Sequence, residues 1–303
     1  MKNFTITLMS FVLAFGLKAQ DMLNMNNFNF EKDNYNTACI TTDSSSLKIS
    51  TIVSLSDAIQ NSSKFNFLMY GNMGKLGLAV GAKVNSSFYQ IFQTTTAEFL
   101  LAKRMKFGKG NSLSFGINAG VILNNLKQDR INAYTNMEDP VLVNGTFNKA
   151  GFTTGLGFHY SWKEQLNVSM SVPVLVQSIQ GLAPVYFTNV SYKIAMGSKF
   201  SLQPEIIAFG PNYIKPTIEG NFKIDYLDFA WLKLGFRSTQ SFLFGAGASV
   251  KFVDFGYIYN LSAGQPFQEV YSGLHNIKVA FNFLDTKTKL SKKTSSEEII
   301  VKN

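Results

Sequence analysis

Along the stretch SLSFGINAGVIL (112–123), apolar and small polar side chains alternate without a break. Leu113, Phe115, Ile117, Ala119, Val121 and Leu123 fall on one side of an extended chain. Ser112, Ser114, Gly116, Asn118 and Gly120 fall on the other. A period of two cannot settle as a helical stripe, so the segment is a strand with one apolar face. GFTTGLGFHYSW (151–162), FLFGAGASVKF (242–252) and HNIKVAFNF (275–283) repeat the pattern. From Leu47 onward it gives fourteen candidate strands: 47–57, 63–71, 75–84, 91–104, 111–124, 149–162, 165–172, 183–195, 199–209, 213–224, 229–239, 241–251, 253–261 and 274–283. Soluble strands average about five to six residues, whereas a tilted membrane-spanning strand needs about 9–11. Most of these segments belong to the longer class.

The connections sort themselves by length. The even-numbered ones are short: GNMGK, KFGKGN, WKEQ, MGSK, YLDF and a pivot at Phe252–Val253. The odd-numbered ones include every long one, at 124–148, 174–184 and 262–273. Short turns at one end, long loops at the other and an even number of strands define an outer-membrane β-barrel with periplasmic turns and extracellular loops. A soluble sandwich has no reason to sort its loops in this way. The faces agree. Phe, Val, Leu and Ile occupy one side, while Gly, Ser, Asn, Thr and Lys occupy the other. Tyr160, Trp162, Tyr226, Trp231, Tyr257 and Tyr259 gather near strand ends, as interfacial aromatic girdles do. Backbone groups in hydrocarbon must pair internally, so a spanning sheet must close on itself. The expected fold is all-β: a transmembrane barrel of about fourteen antiparallel strands, with outer-membrane lipid against its apolar face. On this reading Ile277, Val279, Phe281 and Phe283, with His275 at the strand's start, belong to the last strand. That strand must pair with 47–57 to remove both edges.

The chain has 28 Phe, 12 Tyr and 23 Gly among 303 residues and a mean hydropathy of +0.04, and no stretch after residue 20 is long and apolar enough for a transmembrane helix. MKNFTITLMSFVLAFGLKAQ opens with Lys2, continues with an apolar core from Phe4 to Leu17, and offers Ala19 for cleavage. This is the pattern of a secretory signal peptide, residues 1–19. Its removal takes Lys2 and Lys18 and lowers the formal net charge from +9 to +7. The expected organisation is the signal, a periplasmic Asn-rich segment at 20–46 that lies either below the lumen or inside it, the barrel at 47–283 and a charged periplasmic tail at 284–303. The expected location is the outer membrane of a Gram-negative bacterium. Cys39 is the only cysteine, so no intramolecular disulfide can form.

Chemistry is sparse. The two histidines, His159 and His275, form no Ser/His/Asp set by spacing, and no GxSxG elbow is present. No His/Cys cluster offers metal ligands, so neither an enzyme nor a cofactor is expected. Glu138 and Asp139 in the longest loop read as solvated charge. The basic residues are scattered across faces and turns, which argues against nucleic acid as a partner. The polar face carries Lys223 and Asp225 on the tenth strand, Lys233 and Arg237 on the eleventh, Lys251 on the twelfth and Lys278 on the fourteenth. Facing a fourteen-strand lumen, these cations either favour anions or pair with Asp225 and with segments that enter the lumen.

Three stretches resemble the PorP/SprF-type outer-membrane proteins associated with type IX secretion in Bacteroidetes. YNTAC (35–39) is similar to that family's Tyr-Asn-Pro-Ala-like motif, with Thr37 in place of proline. SMSVPVLVQSIQGLAPVYFTNVSYKI (169–194) resembles its mid-chain strand–loop–strand, with Pro184 and Tyr186 at the Leu-Pro-x-x-Tyr-like entry. GLHNIKVAFNF resembles its final strand and keeps Gly273, His275, Ile277 and Phe283, with Asn276 replacing an acid. The resemblance implies a non-enzymatic component of the secretion or gliding apparatus. It further implies contact with a secreted adhesin-like surface protein and with periplasmic machinery. The alternatives are a general porin or uptake channel, and a structural barrel with no channel.

Overall fold

The computed structural model describes residues 29–42, 46–56, 62–74, 76–89, 92–108, 110–127, 149–178, 184–211, 216–227, 229–262 and 273–283. Fifteen extended segments form one antiparallel sheet. Two of them, Val185–Tyr192 and Ile194–Met196, run along the same neighbour on either side of Lys193, so the sheet has fourteen strands. In chain order these are β1 (Leu47–Ser56), β2 (Ser62–Met73), β3 (Leu78–Tyr89), β4 (Phe92–Phe107), β5 (Asn111–Leu126), β6 (Lys149–Trp162) and β7 (Leu166–Gln177). There follow β8 (Val185–Tyr192, continuing in Ile194–Met196), β9 (Phe200–Pro211), β10 (Thr217–Tyr226), β11 (Ala230–Arg237), β12 (Ser241–Val250), β13 (Val253–Ser262) and β14 (Gly273–Phe283).

Each strand pairs with its neighbours in sequence, and β14 pairs with β1 from Leu47↔Phe283 to Ser56↔Leu274. The sheet is therefore a closed barrel without an edge. Ten residues at about 3.3 Å each, tilted by ~40°, reach about 25 Å, the height of a membrane barrel's apolar band. The alternation dictates the faces. Phe99 (79% exposed), Ile206, Phe222, Leu232 and Leu234 point outward. Ser50, Asn66, Asn118, Asn189 and Asn276 point inward and are buried.

The turns after β2, β4, β6, β8, β10 and β12 all lie at one end, together with Ser46 and the last residue of β14, whose backbones bond at 2.8 Å. Left-handed backbone recurs there, at Gly77, Gly108, Gly110, Lys163, Glu164, Gly197, Leu227 and Lys251. The connection of 127–148 leaves from the opposite end.

Strand ends differ from expectation where the lipid-facing pattern stops. β3 was expected to end at 84 and runs to Tyr89; β7 was expected to end at 172 and runs to Gln177. The extension of β3 begins with Asn85, Ser86 and Ser87, and that of β7 passes Pro173, where a register shift interrupts the alternation. In β7 the register shifts against β6 between Thr154 and Leu156, and against β8 between Ser171 and Val174. Pro173 sits inside the second irregularity, where a missing N–H costs no ladder bond.

The sequence leaves open whether the N-terminal segment enters the lumen, and in the structure 29–42 lie within the barrel. They form 3₁₀ turns at Lys32–Asn34 and Thr37–Thr41, and Asn34 to Thr41 are buried. The physical reason is volume. Eight strands enclose a space that side chains alone can fill, whereas 16–18 leave an aqueous channel. Fourteen strands enclose more than these inward Ser, Asn and Gly side chains occupy. The signal at 1–19 and the tail at 284–303 lie outside the described residues.

Candidate functional site in the barrel lumen

The lumen site is built from the plug at 29–42 and the inward faces of the strands. Two apolar anchors seat the plug. Tyr35 stacks on Phe187, with ring centroids 5.9 Å apart, in a cluster with Ile207 and Phe209. Ile40, fully buried, enters a second inward cluster of Leu68, Tyr70, Ala79, Leu100 and Ala102. Between the anchors the chain lies on bare backbone. Gly116 and Gly157 are register partners on β5 and β6, and a Cβ at either would collide with Ala38 or with Asn36. The glycines are required by this close approach.

Asn36 turns the contact into a joint. Its Oδ1 accepts from the Ala38 N–H at 3.0 Å, and its Nδ2 donates to the Phe158 carbonyl at 2.8 Å and to that of Met170 at 3.3 Å. The Ser171 hydroxyl donates to the Tyr35 carbonyl at 2.8 Å, and Thr41 Oγ1 lies 2.9 Å from Ser114 Oγ. YNTAC is therefore the segment that docks the plug. Thr37 at the motif's departure lies 3.3 Å from Asn118 Oδ1, a contact proline could not make.

Charge completes the seal. Glu31 Oε1 lies 3.0 Å from Lys48 Nζ and 2.9 Å from Lys278 Nζ, and its other oxygen accepts from Ser50 at 2.6 Å. Burial would raise the Glu31 carboxyl, but Lys278 and Lys48 outweigh it and hold it down at about 2. Asp33 accepts from Lys48 at 3.2 Å and from the Tyr70 hydroxyl at 2.8 Å. Lys32 meets Glu205 at 2.7 Å, and the same carboxylate meets Lys233 at 2.9 Å. The strands also pair among themselves. Lys83 faces Glu98 across β3–β4 at 3.0 Å, and Arg237 faces Glu219 across β10–β11 at 2.7 Å.

Of the charges singled out in the sequence, Lys223, Asp225, Lys233, Arg237 and Lys278 point into the lumen. Lys223 and Lys233 stand directly opposite each other, a repulsive placement relieved by Asp225, 2.6 Å from Lys223, and by Glu205. These cations are matched by carboxylates, so they make no free anion-attracting array. Lys251 does not belong with them. It is exposed at the tight turn between β12 and β13, with φ of 56°. The alternation fails there because the turn takes the residue out of the strand's pleat.

Glu31, Glu98, Glu205 and Glu219 are the residues the sequence reading passed over. Glu98, Glu205 and Glu219 were findable: each sits on the polar parity of its strand, beside outward Phe99, Ile206 and Ile218. Cys39 is buried 3.8 Å from His159 Nδ1 and 3.7 Å from Ser169 Oγ, and burial pushes its thiol up to about 12, so it is a packed neutral thiol. The described residues hold no group of three or more potential metal ligands. Below the plug, toward the turns, a cavity of about 990 Å³ opens, with Arg104, Lys106, Glu164 and Gln203 on its wall.

A closed antiparallel sheet with apolar residues outside, polar residues inside and loops sorted by end defines an outer-membrane β-barrel. Solved structures share the fold: Acinetobacter baumannii outer membrane protein Omp33 (TM-score 0.50, 8% identity, 79% of this chain and 98% of that one) and the Ralstonia pickettii toluene transporter TbuX (TM-score 0.50, 10% identity, 82% and 92%). The family described as type IX secretion system membrane protein PorP/SprF matches residues 50–281, and the chain belongs to that family. A comparison with curated proteins finds no match.

Proposed function

We propose that this protein is a plugged, non-enzymatic barrel of the type IX apparatus, a membrane platform for a secreted adhesin-like surface protein rather than a conduit. The observation that carries the reading is the plug. Residues 29–42 are joined to strands around the circumference by apolar anchors, backbone hydrogen bonds and buried ion pairs. A segment held this way closes the lumen unless something draws it out. Membership in the family supports a role in the secretion machine. On this reading the long loops would meet the exported partner, and the turn-side cavity and the tail at 284–303 would meet periplasmic components. Exported chains carry a signal, and 1–19 fits one.

Deleting the gene tests the reading. Loss of a subset of surface adhesins, with the general secretome intact, is the expected result; an unchanged cell surface overturns it. The uptake-channel reading requires solute flux through the intact protein in proteoliposomes. Whole-cell crosslinking from the long loops names the partner, and truncation after Leu284 asks whether the tail docks periplasmic machinery.

A further inference from the structure

Two cations stand apart from the others in the lumen. Lys48, Lys83, Lys233, Arg237 and Lys278 each meet a carboxylate at 3.0 Å or less. Arg104 and Lys106 do not. They follow buried Leu100 and Ala102 on the inward parity of β4, and both line the turn-side cavity. Among the described residues no carboxylate lies within salt-bridge reach of either. Arg104 gives one Nη1 bond to the Thr41 carbonyl at 3.3 Å, and its Nε has no acceptor. Lys106 is exposed. The acids of the same wall are Glu31 and Asp33, already held by Lys48 and Lys278, and Glu164 in the β6–β7 turn.

The shape of the cavity narrows what these cations would take. At about 990 Å³ it is far larger than a single small anion, and it matches the upper end of ligand pockets, roughly 300–1,000 Å³. Ser161, Asn167 and Gln203 project into it from β6, β7 and β9. A carboxamide offers a donor and an acceptor together, as peptide backbone requires. Spacing adds to the match. Arg104 and Lys106 are two residues apart on one strand, about 7 Å, which is also the distance between alternate side chains of an extended peptide.

We propose that the turn-side cavity binds an acidic peptide segment of a periplasmic partner, with alternate carboxylates on Arg104 and Lys106 and peptide backbone on Asn167 and Gln203. The inference names the chemistry of the periplasmic contact proposed above and rests on that reading.

The test uses the purified full-length protein in detergent and a short fluorescein-labelled peptide of alternating Glu and Ser, read by fluorescence anisotropy. The expected result is saturable binding that a peptide of alternating Gln and Ser does not show. Arg104→Gln weakens it about tenfold, and Lys106→Gln roughly two- to fivefold. Glu164→Gln strengthens it by removing a like charge from the wall. Lys251→Gln, at an exposed turn outside the cavity, leaves it unchanged. Heat-modifiable gel migration verifies that each variant is folded. Equal binding of the Gln peptide, or undiminished binding by the Arg104→Gln/Lys106→Gln double variant, overturns the proposal. Displacement of the peptide by equimolar inorganic phosphate also overturns it, because the site then recognises one small anion. Binding is measured without cells, so its failure leaves the gene-deletion phenotype, and the reading that phenotype tests, standing.

Discussion

At the scale of single residues, the plug is held where two glycines leave room for it. Gly116→Val or Gly157→Val would put branched carbons where the Ala38 backbone and the Asn36 side chain lie; the first cannot swing away, and the second moves only by breaking its bonds to Phe158, Met170 and Ala38. The expected effect is an undocked plug in a folded barrel. Cys39 reports it directly, because it is buried beside His159 and its thiol is pushed up to about 12. Maleimide modification, slow in the native protein, should become rapid in either variant. Ile40→Ala should act in the same direction by removing an anchor, at a cost of about 2–5 kcal/mol for a buried aliphatic truncation. Unchanged labelling in all three would mean that the plug does not depend on these contacts. The Glu31 pairs give a pH signature. The carboxyl is held at about 2 in the docked plug against 4.5 for an ordinary glutamate. Its contribution to docking is therefore complete above about pH 4.5 and is lost as pH falls through about 2. Pepsin cleavage within 29–42, corrected for the protease's own pH profile, should rise progressively as pH falls from about 4.5 toward 2. No rise across that window would show that Lys48 and Lys278 do not hold the charge.

At the scale of elements, the strands were legible because lipid imposes a simple rule on every one of them. Outward positions must be apolar, and the alternation recorded in 112–123 or 275–283 is that rule written into sequence. β8 was read as one strand, 183–195, and its break at Lys193 leaves no mark on the pattern. The plug was not legible, for a related reason. Its seat is polar and scattered: Asn36 bonds carbonyls more than 120 residues away, and Lys32 bonds Glu205. Without periodicity, an Asn-rich stretch reads as a linker. The lumen charges were half legible. Parity placed Lys233 and Arg237 inward but could not show that Glu205 and Glu219 would meet them. If the plug is a separable element, deleting 29–42 should leave a heat-modifiable barrel. In planar bilayers that barrel should conduct steadily where the native protein does not. A silent deletion variant would mean that something else closes the lumen.

At the scale of the whole molecule, the two ends do different work, and orientation follows from how the barrel closes. An antiparallel sheet with an even number of strands returns its last residue to the end where it began, which is why Ser46 and Phe283 meet. The turns of three or fewer residues at 108–110, 163–165 and 251–252 share that end with the 990 Å³ cavity. They can follow a strand through a bilayer with little to translocate. The connection at 127–148 opens at the other end, beyond the plug and away from the cavity. A barrel built this way should present 127–148 to the outside and the short turns to the periplasm. An epitope inserted near residue 138 should therefore bind antibody on intact cells. The same epitope between Glu164 and Gln165 should bind only after the outer membrane is permeabilised. The second insertion also interrupts a bond from Gln165 N–H to Trp162 O at 3.0 Å, so heat-modifiable migration must show that the tagged barrel is closed. Surface staining at 164–165 in a folded barrel would invert the assignment. The cavity would then face the medium, and the plug would be reached from outside the cell rather than from the periplasm.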